Sequence, residues 1–172
     1  MGQVCDSDAL LDPIKEEVEL FTDILVQGLQ DSEQIVREAA CLTIGNFSEH
    51  VIPDFLEQHA KVMPVLLQVL QSQVEIATQD EEHAENTGNA LSALGEFSGS
   101  MEEHEIKQYL QQSVETCLAY LTGPNQLRKT KYMALDALSP IIIAAEHQIM
   151  PMQQVLLQAF FTTIDNCTTV QD

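Results

Sequence analysis

The chain has 172 residues, 45% of them hydrophobic, with no Trp, six Pro and seven Gly. That length suffices for one domain with a sizeable core, and that hydrophobic content argues against a disordered chain. Seven basic residues stand against 27 acidic ones, a formal charge of −20, which disfavours nucleic acid as a partner, because phosphate contacts require a basic surface. It favours a basic partner drawn in by long-range attraction.

Membrane insertion is not expected: no stretch approaches the roughly 18–20 apolar residues needed to span a bilayer, and Ile141-Ile142-Ile143-Ala144-Ala145 reads as packed helix. No signal-peptide pattern opens the chain. Met1-Gly2 lacks the Ser or Thr at position 6 that N-myristoylation requires, having Asp6. The four cysteines, Cys5, Cys41, Cys117 and Cys167, form no CxxC pair. Cys41 and Cys117 fall in apolar helical patterns and are expected as buried, reduced thiols. The sequons at Asn46 and Asn166 are read as accidental in a chain without a secretory signal.

In chain order, residues 1–5 read as the tail of a helix, followed by a turn at Asp6-Ser7-Asp8 and by Pro13 in a first helical turn. Ile14, Val18, Phe21, Ile24, Leu25 and Leu29 are spaced for a helix over 14–30. Asp31-Ser32 makes a tight turn that caps a second helix, 33–50, with Val36, Ala40, Ile44 and Phe47 on its inward face and Val51 just beyond. Pro53 opens a helix over about 54–72, and 82–99 forms the next. A helix over 103–122 stops at Thr122-Gly123-Pro124. The helix 125–146 contains Pro140 as an expected kink, and a last helix runs over about 150–167.

One phrase is written three times: AACLTIGNFS at 39–48, NALSALGEFS at 89–98 and MALDALSPII at 133–142. Ala40 matches Ala90 and Ala134, and Ile44 matches Leu94 and Leu138, at spacings of 50 and 44 residues. A second echo relates Ile24-Leu25-Val26-Gln27-Gly28-Leu29-Gln30 to Val65-Leu66-Leu67-Gln68-Val69-Leu70-Gln71. A helical period of roughly 40–50 residues points to an all-α superhelix of HEAT type, stacked from helical hairpins. The expected repeats are 13–50, 54–99, 103–146 and a partial one at 150–172, about three and a half in all. An array that starts inside one hairpin and stops halfway through another reads as part of a longer one.

The stretch Asp31-Ser32-Glu33-Gln34-Ile35-Val36-Arg37-Glu38-Ala39-Ala40 is similar to the HEAT motif D-x-x-x-x-V-R-x-A-A. In that family the Asp and Arg stack into a polar ladder between repeats. Asp31 and Arg37 fit, Asn125 and Lys131 fill the same places in the third repeat, and Glu81 and Thr87 depart in the second. The longer pattern, Val36-Arg37-Glu38-Ala39-Ala40-Cys41 then Gly45-Asn46-Phe47-Ser48-Glu49-His50, with Met63-Pro64-Val65-Leu66-Leu67 further on, resembles the importin-β superfamily of nuclear transport receptors, in its importin four/five branch. The resemblance implies a carrier of basic cargo such as histones or ribosomal proteins, released by Ran-GTP, with nucleoporins as further partners and both cytoplasm and nucleus as its address. The alternative is a HEAT scaffold for a signalling or phosphatase complex. Neither reading calls for a cofactor or a metal.

Two regions are candidate partner surfaces. Segment 73–105 holds nine acidic residues and no Lys or Arg. Its part 73–81 is an extended turn, and the importin resemblance implies that an acidic loop at such a turn, here with Asp80, Glu81, Glu82 and Glu85, faces basic cargo or Ran. The second surface is the outward side of the second helix of each hairpin, opposite the inward face at about 100° per residue. It carries Glu38, Leu42, Gly45, Asn46 and Glu49, then Glu85, Gly88, Ser92 and Glu96, then Lys129, Tyr132, Asp136 and Ser139. Catalytic signatures are not found: His83 and His104 each follow a pair of glutamates but lack the HExxH partner, and no GxSxG or P-loop occurs.

Overall fold

A computed structural model describes residues 17–50, 54–74, 81–124 and 126–168. Expectations that fall on the turn at 6–8, Pro13, Ile14, Val51, Pro53, Asp80, Asn125 and the Cys5 and Cys167 side chains lie outside the described residues.

The chain folds as an all-α helical repeat solenoid, with helices α1 (Val18–Leu29), α2 (Gln34–His50), α3 (His59–Gln73), α4 (Glu81–Gly99), the single turn α5 (Glu103–Ile106), α6 (Leu110–Thr122), α7 (Arg128–Ala145) and α8 (Gln153–Thr168). Short 3-10 segments, Leu56–Gln58 and Glu146–Met152, lead into α3 and α8. Among the described residues there is no strand, and no helix is long and apolar enough to cross a membrane. The helices form two layers. In the first, α1 packs on α3, α3 on α6 and α6 on α8; in the second, α2 packs on α4 and α4 on α7. Each second-layer helix also packs on the first-layer helix before it.

The repeated phrase marks where the layers meet. Ala40, Ala90 and Ala134 are buried, as are Ile44, Leu94 and Leu138, and Phe47, Phe97 and Ile141. A row of phenylalanine rings crosses the core: Phe21–Phe47, Phe47–Phe55 and Phe55–Phe97, with centroids 6.3, 5.2 and 5.2 Å apart. Polar bonds join successive first-layer helices. Lys61 Nζ reaches Asp23 at 2.8 Å and Glu19 at 3.2 Å, linking α3 to α1. The buried Tyr120 hydroxyl of α6 donates to the Leu70 carbonyl at the end of α3. Nearby, Gln126 Nε2 donates to the Val74 carbonyl at 2.7 Å.

Three local features differ from the sequence expectation. The helix expected over 103–122 is broken at 107–109. Glu102 and Glu105 form a capping box that starts α5, and the chain then tucks in Ile106 and Tyr109, whose hydroxyl lies 2.9 Å from His59 Nδ1. The helix expected over about 54–72 begins as a 3-10 turn and becomes α-helical at His59. Val36, expected inward, is 39% exposed.

Glu146 closes α7 with φ 44° and ψ −113° and is the one non-glycine at positive φ among the described residues. L side chains resist this region and glycine does not. Glu146→Gly is therefore expected to stabilise the fold by about 1 kcal/mol, read as a higher midpoint in a urea titration with unchanged slope.

Cys41 and Cys117 are both buried free thiols, as their apolar surroundings in the sequence suggest. Burial pushes each from the ordinary 9.0 up to about 12, with Glu38 adding to the effect at Cys41. A raised folded value leaves stability untouched below pH 9 and erodes it as pH climbs from about 9 towards 12, because the unfolded chain loses protons that the folded chain keeps. With Cys5 and Cys167 replaced by Ser, a maleimide at pH 8 should leave the folded protein unlabelled and label two thiols in denaturant. Labelling at the same rate in both conditions would show that these sites are open.

Candidate functional site

The second layer is the place to look for a partner surface, since its three helices lie side by side. Pairs across the seams rise together along the chain. Asn89 Nδ2 donates to Glu38 Oε1 at 2.9 Å, and the Glu96 carboxylate lies over Gly45. Further along, Gly88 faces Met133, Gly95 faces Ala137 and Gly99 faces Pro140. The order 38/89 then 45/96, and 88/133 then 95/137 then 99/140, means that α2, α4 and α7 run parallel.

This geometry corrects the outward stripe expected from helical projection. Gly45 and Gly88 are buried, because the next second-layer helix lies against them. A projection on one helix distinguishes inside from outside, whereas a solenoid helix meets neighbours on three sides. A Cβ at Gly95 would sit 2.9 Å from the Ala137 Cα, so the backbones of α4 and α7 approach closely there.

The remaining candidates are placed as follows. Glu38 is half-buried in the α2–α4 seam; Asn46 and Ser92 are half-buried; Glu96, Asp136 and Tyr132 are exposed. Leu42, on the α2 stripe, is 48% exposed. Glu49 lies in the last turn of α2, and Glu81 and Glu82 open α4, with their side chains outside the described residues. Asp80 lies outside them altogether. Glu85 is exposed, with Oε1 3.6 Å from Lys129 Nζ of α7. The structure thus brings Glu38 and Glu96 to one seam, while Glu85 shares the other with a lysine. Helical spacing did not single out Asn89, which holds Glu38; only the register between α2 and α4 reveals that contact.

Arg37 holds its own turn, while residues 75–80, in the next repeat's turn to which the ladder implied by the motif resemblance would run, lie outside the described residues. Arg37 Nη1 donates to the Asp31 carbonyl at 2.7 Å and the Ser32 carbonyl at 2.8 Å. The Asp31 carboxylate accepts from the Glu33 backbone N–H at 2.8 Å. Arginine and aspartate thereby each fix the turn between α1 and α2. Among the described residues no three His, Cys, Asp or Glu side chains form a group that could hold a metal ion. His104 Nδ1 lies 3.2 Å from Glu102 Oε2, with both side chains exposed.

What the geometry defines is a helical repeat protein with a broad second-layer wall. The HEAT repeat family model matches residues 21–51, which cover most of α1 and all of α2. The chain is similar to human importin-4, 43% identical over 49 residues, and to mouse importin-4, 45% identical over 49 residues. Each aligned stretch covers 28% of this chain and 4% of the relative, so the match spans a small part of those proteins.

Proposed function

We propose that this chain works by binding, as a segment of an importin-like nuclear transport receptor whose second-layer wall and acidic segment receive basic protein cargo. The similarity to importin-4 carries the reading, and the charge of −20 supports it. Glu38 and Glu96 lie along the α2–α4 seam, with Asn46 and Ser92 beside them and Tyr132 and Asp136 on α7. Glu49 belongs to the same stripe, and Asp80, Glu81, Glu82 and Glu85 to the acidic segment. An extended lysine-rich segment laid across the parallel helices would meet carboxylates, amides and one aromatic ring. In this reading Ran-GTP releases the cargo and nucleoporins guide transit through other parts of a longer receptor, which moves between cytoplasm and nucleus.

Replacing Asp80, Glu81, Glu82 and Glu85 by Ser should weaken binding of a lysine-rich peptide and flatten its salt dependence, since exposed charges are screened over about 8–10 Å at physiological ionic strength. Stability should barely change, because the Glu85–Lys129 pair is exposed and such pairs contribute little. Glu38→Gln with Glu96→Gln tests the wall in the same assay. Calorimetry at low salt showing unchanged affinity in both variants, with the fold intact, would remove the cargo reading. Recovery of phosphatase subunits rather than histones or ribosomal proteins from a lysate would favour a scaffold instead.

A further inference from the structure

The wall formed by the second layer is not uniform in its chemistry. Helix α4 has α2 on one side and α7 on the other. With both neighbours in place, Glu85 and Glu96 stay exposed and Ser92 half-buried. These three positions therefore mark the open wall rather than a flank between helices. The register of the repeated phrase carries them onto α7 as Lys129, Asp136 and Pro140, and onto α2 as Ile35, Leu42 and Asn46. Lys129 and Asp136 are exposed charges. On α2 the same wall is apolar: Ile35 is 74% and Leu42 48% exposed, and the exposed Ala39 completes an i, i+4, i+7 ridge with them.

Two carboxylates bracket Leu42 along the helix axis. Glu38 stands one turn before it, with Oε1 held by Asn89 Nδ2 at 2.9 Å. A carboxylate offers about four acceptor sites on its two oxygens, so this bond fixes Glu38 without exhausting it. Gly45 stands one turn after Leu42, and the exposed Glu96 carboxylate lies over it. Places three and four residues apart on a helix are about 5–6 Å from each other. An extended chain turns alternate residues to one side and advances roughly 7 Å over two of them. An extended segment running along α2 with one side chain on Leu42 would thus bring the residues two before and two after it within reach of Glu38 and Glu96.

We propose that the Ile35–Ala39–Leu42 ridge is the anchor point of the wall and takes one aliphatic side chain of an extended basic segment, in the pattern basic, any, aliphatic, any, basic. The two bracketing carboxylates and the chain's charge of −20 set the sign of the occupant. The ridge sets its apolar residue, since lysine ammonium groups gain nothing from Leu42. This inference rests on the cargo reading above and adds to it what selects one basic segment over another.

The test uses three labelled peptides of equal length and charge with the same lysine-containing ends. Their centres read Lys-Ser-Leu-Ser-Lys, Lys-Ser-Ser-Ser-Lys and Ser-Lys-Leu-Lys-Ser. Each is titrated into the full chain at low salt and followed by fluorescence anisotropy. The first should bind about tenfold more tightly than the second, the worth of burying much of one leucine side chain, and several-fold more tightly than the third, whose central lysines point away from the carboxylates. Added salt should weaken all three while the first keeps its lead over the second, because apolar burial is not screened. Leu42→Ser should bring the first peptide down to the second and leave the second unchanged, whereas Leu42→Met should keep the preference. Leu42 is exposed, and circular dichroism confirms that both variants fold. Equal binding of the first two peptides to the native chain, or a preference that survives Leu42→Ser, overturns the anchor and leaves the cargo reading standing. Failure of all three to bind at low salt removes the cargo reading and the anchor with it.

Discussion

Phe97→Ala is expected to destabilise the fold by about 3–5 kcal/mol, and Phe47→Ala by a similar amount. Phe97 is 0% and Phe47 2% exposed. Both rings contact Phe55, edge-on in one case and tilted in the other, with centroids 5.2 Å apart. Removing either ring takes away its burial and its aromatic contacts and leaves a cavity that neighbours held by other helices can only partly fill. Phe55 joins the first hairpin to the second, so the loss falls on the stacking of repeats as well as on one helix. A urea titration measures it directly. A loss below about 1 kcal/mol would place the ring at the surface and contradict the packing.

Two glycines at aligned positions should respond with opposite sign. Gly95→Ala is expected to destabilise by about 1–3 kcal/mol, the usual cost of overpacking. Its new Cβ would meet the Ala137 Cα at 2.9 Å and the Ala137 carbonyl oxygen at 3.3 Å, so α4 and α7 would have to separate. Gly45→Ala meets only the far end of the Glu96 side chain. That carboxylate can swing aside, and alanine's better helix propensity, worth up to about 1 kcal/mol, should leave the protein as stable or more so. Thermal denaturation of the two variants side by side reads the difference. Equal destabilisation by both would mean that the α2–α4 seam is as tight as the α4–α7 seam.

These two predictions rest on different kinds of information. Phe47 and Phe97 stand at the same place in a phrase that repeats, and helical spacing already turned them inward; the structure buries both. The contrast between Gly45 and Gly95 could not be read that way, because the two occupy identical places in the phrase. What separates them is the neighbour: a flexible carboxylate in one case and a backbone in the other.

Local order carried most of the fold. Apolar residues at helical spacing, turn residues such as Asp31-Ser32, and the recurrence of Ala40, Ile44 and Phe47 as Ala90, Leu94 and Phe97 were enough for an all-helical repeat solenoid. A residue's burial within its own hairpin depends on periodicity, which the chain spells out. The candidate surface was less legible. Glu38, Glu96 and Tyr132 could be assigned to an outward stripe, but only tertiary packing decided that Glu38 is held by Asn89, that Gly45 and Gly88 are covered, and that Tyr132 is open. The turn arginine shows the same division. Sequence places Arg37 six residues after Asp31, while the folded turn directs its guanidinium to the Asp31 and Ser32 carbonyls. The break at 107–109 likewise follows from Tyr109 meeting His59 of another helix. By itself the sequence determined helices, hairpins and the residues of their shared core, since these follow from contacts a few residues apart. Tertiary structure alone decided register, seam and exposed wall, because they depend on side chains about fifty residues apart in the chain coming into contact.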